Sequence, residues 1–132
     1  NNVNVILIYP IPELDFDLQK KLFLKIESFK SKKQETFFHN YLTENPITFD
    51  IDKYDERSMR SFKILDQINH PNLYKIYPKN LLCPNTQIKK CKIYENKKFL
   101  YYDGLHLGEA GAKIISSAVI DKVNKISNNT KK

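Results

Sequence analysis

The 132 residues contain no tryptophan, one methionine, three glycines and two cysteines. No long apolar run is present either. The longest, Val5 to Tyr9, falls far short of the ~18 residues needed to cross a bilayer, which excludes a transmembrane helix. No internal repeat or low-complexity segment is visible. Two cysteines with no histidine in the loop that holds them argue against a tetrahedral zinc site. Arginine is almost missing: twenty lysines stand against two arginines, Arg57 and Arg60. The net charge of +7 invites a nucleic-acid reading, but base and phosphate recognition favour the planar arginine fork, and the lysines are scattered in pairs without a dense stripe. The joint over-use of Lys, Asn and Ile is more simply a coding bias, and the charge reads as solvated surface.

What is present describes one globular domain, residues 1–127, with a polar tail at 128–132. Val3 to Tyr9, closed by Pro10 and Pro12, reads as a buried strand. Leu18, Leu22, Ile26 and Phe29 recur at helical spacing behind Asp15 and Asp17, which predicts a helix over Asp17–Lys30. A second helix is expected over Gln34–Leu42, a loop over Thr43–Asp52, and a helix from Tyr54 to Ile68 with Met59, Phe62, Leu65 and Ile68 as its apolar face. Leu73–Tyr77 reads as a short strand, Leu81–Phe99 as an irregular loop, and Leu107–Ser127 as a helix with one apolar face. This alternation predicts an α/β layered sheet with parallel strands. Two strands are too few for such a sheet, so the rest should precede Asn1 or come from another polypeptide. The start of the chain agrees: with neither initiator Met nor signal peptide, it reads as a piece of something longer.

The chemistry concentrates in Leu100-Tyr101-Tyr102-Asp103-Gly104-Leu105-His106-Leu107 and the following Gly111-Ala112. Asp103 stands three residues before His106, within reach of a carboxylate-to-imidazole hydrogen bond on a tight turn entering a helix. An aspartate held on one ring nitrogen fixes the tautomer and leaves the other free to take a proton from a nucleophile. The bland alternative is a surface histidine near a helix start with a capping aspartate. Of the other candidates, His39 and His70 lack partners at useful spacing and read as exposed or capping. Arg57 reads as an ion-pair or loop anchor, and Tyr101 and Tyr102 as core or as a platform for a sugar.

Three further stretches align in order with this one: Val5-Ile6-Leu7-Ile8-Tyr9-Pro10-Ile11-Pro12-Glu13, then Tyr54-Asp55-Glu56-Arg57, then Leu82-Cys83-Pro84 with Cys91. Together they resemble the C-terminal part of an SGNH (GDSL-like) hydrolase domain, of the branch fused to bacterial integral-membrane acyltransferases that O-acylate surface polysaccharides. The resemblance implies an SGNH-type three-layer α/β sandwich of which this chain holds the C-terminal strands and helices. It implies His106 as general base and Asp103 as its orienting acid. No metal or organic cofactor is expected. The expected partners are an acyl donor, a cell-envelope polysaccharide acceptor and a membrane acyltransferase domain in the same protein, without nucleic acid. The nucleophilic serine and the oxyanion-hole Gly and Asn of the family have no match here: none of Ser28, Ser31, Ser58, Ser61, Ser116, Ser117 and Ser127 sits in a G-D-S context. The serine is therefore expected upstream, and this chain alone is expected to be inert. A free-standing carbohydrate esterase and a non-catalytic envelope-binding domain are the alternatives.

Cys83 and Cys91, eight positions apart, read as a disulfide, with two unrelated thiols as the alternative. Closing so short a loop would stabilise by roughly 2–3 kcal/mol in the chain-entropy view. A disulfide implies an oxidising compartment, in agreement with the periplasmic face that the resemblance suggests.

Overall fold

The computed structural model describes residues 3–27, 34–84 and 89–129. In chain order the elements are β1 (Val5–Ile8), α1 (Leu18–Glu27), α2 (Gln34–Glu44), β2 (Thr48–Asp50), α3 (Ile51–Asp66), β3 (Leu73–Ile76), α4 (Pro78–Leu82), β4 (Lys90–Lys92), β5 (Tyr94–Glu95), β6 (Lys98–Phe99) and α5 (Glu109–Asn129). β1 and β3 pair in parallel, Val5 opposite Leu73 and Ile8 opposite Ile76, as expected for strands joined by helical crossovers. The α/β class therefore holds. The described strands form this parallel pair and two antiparallel pairs, β2 with β4 and β5 with β6, rather than one continuous sheet.

Several boundaries differ from the sequence reading, each for a local reason. The segment expected as loop over Thr43–Asp52 contains β2, because Ile47, Phe49 and Ile51 alternate onto one buried side. α3 starts at Ile51, ahead of the expected Tyr54, since the Asp50 carboxylate accepts the Asp52 amide at 2.9 Å and caps the helix there. α1 begins at Leu18 because Asp17 Oδ1 accepts the Lys20 amide at 2.9 Å; the predicted end of this helix, 28–30, lies outside the described residues. The expected irregular loop over Leu81–Phe99 carries β4 and a tight hairpin. α4, which the sequence reading did not anticipate, has Pro78 in its first turn, where a missing N–H is harmless. α5 begins at Glu109, because Leu107 is held in a bridge to Tyr101, and it runs through Asn128 and Asn129 of the expected tail. Residues 130–132 lie outside the described residues.

The core is built on β2, β4 and their neighbours. Leu14, Leu18, Leu42, Phe49, Tyr54, Ile93, Leu100, Tyr101 and Ile115 are its buried centre. β1, read as a buried strand, is not: Val5 is 50% and Ile8 43% exposed. α3 likewise turns Ile51, Tyr54 and Ser58 inward and leaves Met59 of the expected apolar face exposed; Ile68, the expected end of that helix, is also exposed and lies past its end at Asp66. An apolar groove of about 640 Å³ runs beside β1, lined by Leu7, Ile8, Ile11, Ile64 and Leu65 among others. The apolar content that the sequence pattern assigned to a core is thus partly surface in this chain.

Candidate active site

Asp103 and His106 sit on a closed turn between β6 and α5. Leu100 O accepts from Gly108 N, Tyr101 bridges to Leu107, and Tyr102 N donates to His106 O at 2.9 Å, so the two arms of the turn are laced together. Within it, Asp103 Oδ1 accepts the amides of Leu105 and His106, both at 2.7 Å, and Oδ2 faces His106 Nδ1 at 2.8 Å. One carboxylate thus builds the turn with one oxygen and orients the imidazole with the other.

The electrostatics follow from these contacts. The Leu105 amide first, then the His106 ring and the His106 amide, stabilise the ionised carboxylate and lower the Asp103 pKa from 3.8 to about 2. An ionised carboxylate can only accept, so His106 Nδ1 carries the hydrogen and, in the neutral ring, Nε2 holds the lone pair. His106 is 73% exposed, and no serine among the described residues hydrogen-bonds to it. The ring is therefore oriented at one nitrogen and open at the other. That arrangement can take a proton from a nucleophile brought to Nε2.

A prediction concerns the turn itself. Because the folded pKa of Asp103 is depressed, its contribution to the turn is complete above the ordinary value of 3.8 and is lost as pH falls through about 2. The amide protons of Leu105 and His106, followed by NMR, should titrate near pH 2. A midpoint at 3.8 would mean that the carboxylate does not hold the turn.

The bed of this turn is the loop after β1. Leu14 N donates to Gly104 O at 2.9 Å, and Gly104 lies so close to Phe16 that a Cβ would stand 3.1 Å from the Phe16 carbonyl oxygen. Arg57 anchors the same loop, its Nη2 donating to Glu13 O at 2.9 Å. Sequence reasoning reached Arg57 as a loop anchor but missed Leu14, whose role is carried by its backbone and so leaves no side-chain signature. Tyr101 is a core residue, buried edge-on against Phe49, with burial raising its pKa and its hydroxyl without a partner among the described residues. Tyr102 is exposed beside Asp103. His39, read as exposed or capping, is half-buried and hydrogen-bonds and stacks on Tyr94, whereas His70 is exposed and accepts the Asn72 amide at 3.1 Å.

Cys83 and Cys91 are joined in a disulfide that ties the end of α4 to β4. Both are buried, and β4 is followed directly by Ile93, whose carbonyl accepts the Leu100 amide at 2.8 Å just ahead of the Asp103 turn. Among the described residues no three His, Cys, Asp or Glu side chains cluster to hold a metal ion, and no helix is long and apolar enough to cross a membrane.

The α/β chain thus carries an aspartate-oriented histidine, exposed at its other ring nitrogen, on the turn into its last helix. The family model of the SGNH domain (fused to AT3 domains) matches residues 1–121, and the chain belongs to that family. Membership gives it an acyltransferase-associated role beside an AT3 domain. No curated protein and no solved structure matches it.

Proposed function

We propose that this chain is the C-terminal part of an SGNH-type O-acyltransferase domain and supplies His106 as general base and Asp103 as its orienting acid. The observation that carries the reading is the 2.8 Å bond from His106 Nδ1 to Asp103 with Nε2 left open. The nucleophilic serine comes from residues upstream of this chain. The strands that complete the three-layer sandwich add along the edge of β1 that no described strand pairs, where exposed Val5 and Ile8 and the adjoining apolar groove support this placement.

In the reaction, the serine oxygen attacks the acyl carbonyl while its proton passes to His106 Nε2. Asp103 stabilises the imidazolium through Nδ1–H. The Nε2 proton is then delivered to the leaving group, and an acyl-enzyme ester remains. In the second half, Nε2 takes the proton of an acceptor hydroxyl as its oxygen attacks the ester, and returns it to the serine. The acyl group, an acetyl in this reading, comes from the AT3 side of the parent protein. The acceptor is a cell-envelope polysaccharide hydroxyl on the extracytoplasmic face, a setting in which the Cys83–Cys91 disulfide would persist. Turnover of a nitrophenyl acetate by the intact protein, with His106 or Asp103 changed, tests the assignment.

A further inference from the structure

Three side chains from the first two turns of α3 grip one loop. Lys53 Nζ lies 2.6 Å from Asp15 Oδ2, the Tyr54 hydroxyl donates to Pro10 O at 2.6 Å, and Arg57 Nη2 donates to Glu13 O at 2.9 Å with Nη1 3.7 Å from Glu13 Oε2. Positions 53, 54 and 57 fall on one side of the helix, so their grip is a property of the helix as a unit. Tyr54 is buried, and burial pushes its phenol up to about 12, which keeps it a donor at any working pH.

The loop passes this grip to the Asp103 turn through the Glu13–Leu14 peptide group. The Glu13 carbonyl that Arg57 holds and the Leu14 N–H that holds Gly104 O belong to the same planar amide. A guanidinium on the oxygen of that amide polarises it and strengthens the bond donated by its nitrogen. Gly104 lies between Asp103 and His106, so the direction of its carbonyl sets how the two side chains face each other. The Leu14 side chain is buried and Phe16 O crowds Gly104, which leaves this amide little room to adjust.

We infer that Arg57 is a positioning residue for the Asp103–His106 pair, acting through the Glu13–Leu14 peptide plane. The inference rests on the functional reading above, and its test separates the two. In the intact protein, Arg57→Ala should lower kcat on a nitrophenyl acetate by roughly ten- to a hundred-fold, the scale of a small misplacement of a catalytic group, with KM changed less than two-fold. Arg57→Lys keeps the charge but not the fork and should recover only part of the loss. Arg60→Ala, one turn along the same helix, should leave kcat unchanged.

The readout independent of activity is the tautomer of His106, followed by two-bond proton–nitrogen correlation from its ring carbon protons. Arg57→Ala should move the ring from a fixed Nδ1–H form toward a mixture; if that variant does not fold, Arg57→Lys and Arg57→Gln carry the same measurement. An unchanged tautomer with unchanged kcat in Arg57→Ala, while His106→Ala abolishes turnover, overturns the inference alone. Full turnover in His106→Ala overturns the functional reading, and the tautomer shift then decides whether Arg57 still positions the ring.

Discussion

His106→Ala in the intact protein should remove most of the esterase turnover, on the order of 10³-fold or more, since the serine would lose its proton acceptor and the leaving group its proton donor. Asp103→Asn is the more discriminating change. The amide oxygen of Asn can still accept the Leu105 and His106 amides that Oδ1 of Asp103 accepts, so the turn should survive. Its NH₂ would then face His106 Nδ1, which must become the acceptor and push the ring hydrogen to Nε2. The imidazole is left in the wrong tautomer, and turnover should fall by roughly 10²- to 10⁴-fold without loss of fold. His70→Ala should leave turnover as it is, because His70 is exposed and its ring is engaged by the Asn72 amide. Wild-type turnover in Asp103→Asn, measured as kcat with stability unchanged, would return the motif to a helix-capping turn.

A larger effect on the fold is expected at Gly111. In the interior of an exposed helix, replacing glycine by alanine gains about 1 kcal/mol. Here the sign should reverse, because a Cβ on Gly111 would stand 2.1 Å from the Leu100 carbonyl oxygen and 3.0 Å from Leu107 Cδ2. Leu100 O cannot step aside freely, since it accepts the Gly108 amide at 2.9 Å and its residue is buried. α5 must therefore back away from the strand that carries the Asp103 turn. Overpacking of this kind costs roughly 1–3 kcal/mol, and the loss of the Gly108 bond adds to it. Gly111→Ala should lower the urea midpoint of the domain accordingly and reduce turnover with it. A stabilised Gly111→Ala protein would show that the helix does not approach Leu100 so closely.

These two sites also mark what the sequence made readable. The Asp103–His106 contact was legible because it is local: the bonds that the Asp103 carboxylate makes close within three residues, so the spacing puts the imidazole within its reach. α5 was legible for the same reason. β2 was not, although Ile47, Phe49 and Ile51 alternate, because Pro46 suggested a loop and the partner strand lies about forty residues away. The β5–β6 hairpin escaped notice because its turn residues, Asn96 and Lys97, both take positive φ, of 50° and 61°, without the glycine that usually announces such a turn. β1 was misjudged as buried because hydrophobicity reports what a segment needs to cover, and this chain does not provide all of the cover. The bracing of the site by Leu14 and Glu13 runs through backbone groups, which no residue type encodes.

The reading stands or falls on where the nucleophile is. The intact protein, treated with a serine-directed fluorophosphonate and digested, should carry the label on one serine upstream of Asn1, and His106→Ala should abolish that labelling while the protein remains folded. A label on Ser58, Ser61, Ser116 or Ser117 of this chain, or labelling that persists unchanged in His106→Ala, would contradict the assignment of Asp103 and His106 as the base half of an acyl-transfer site.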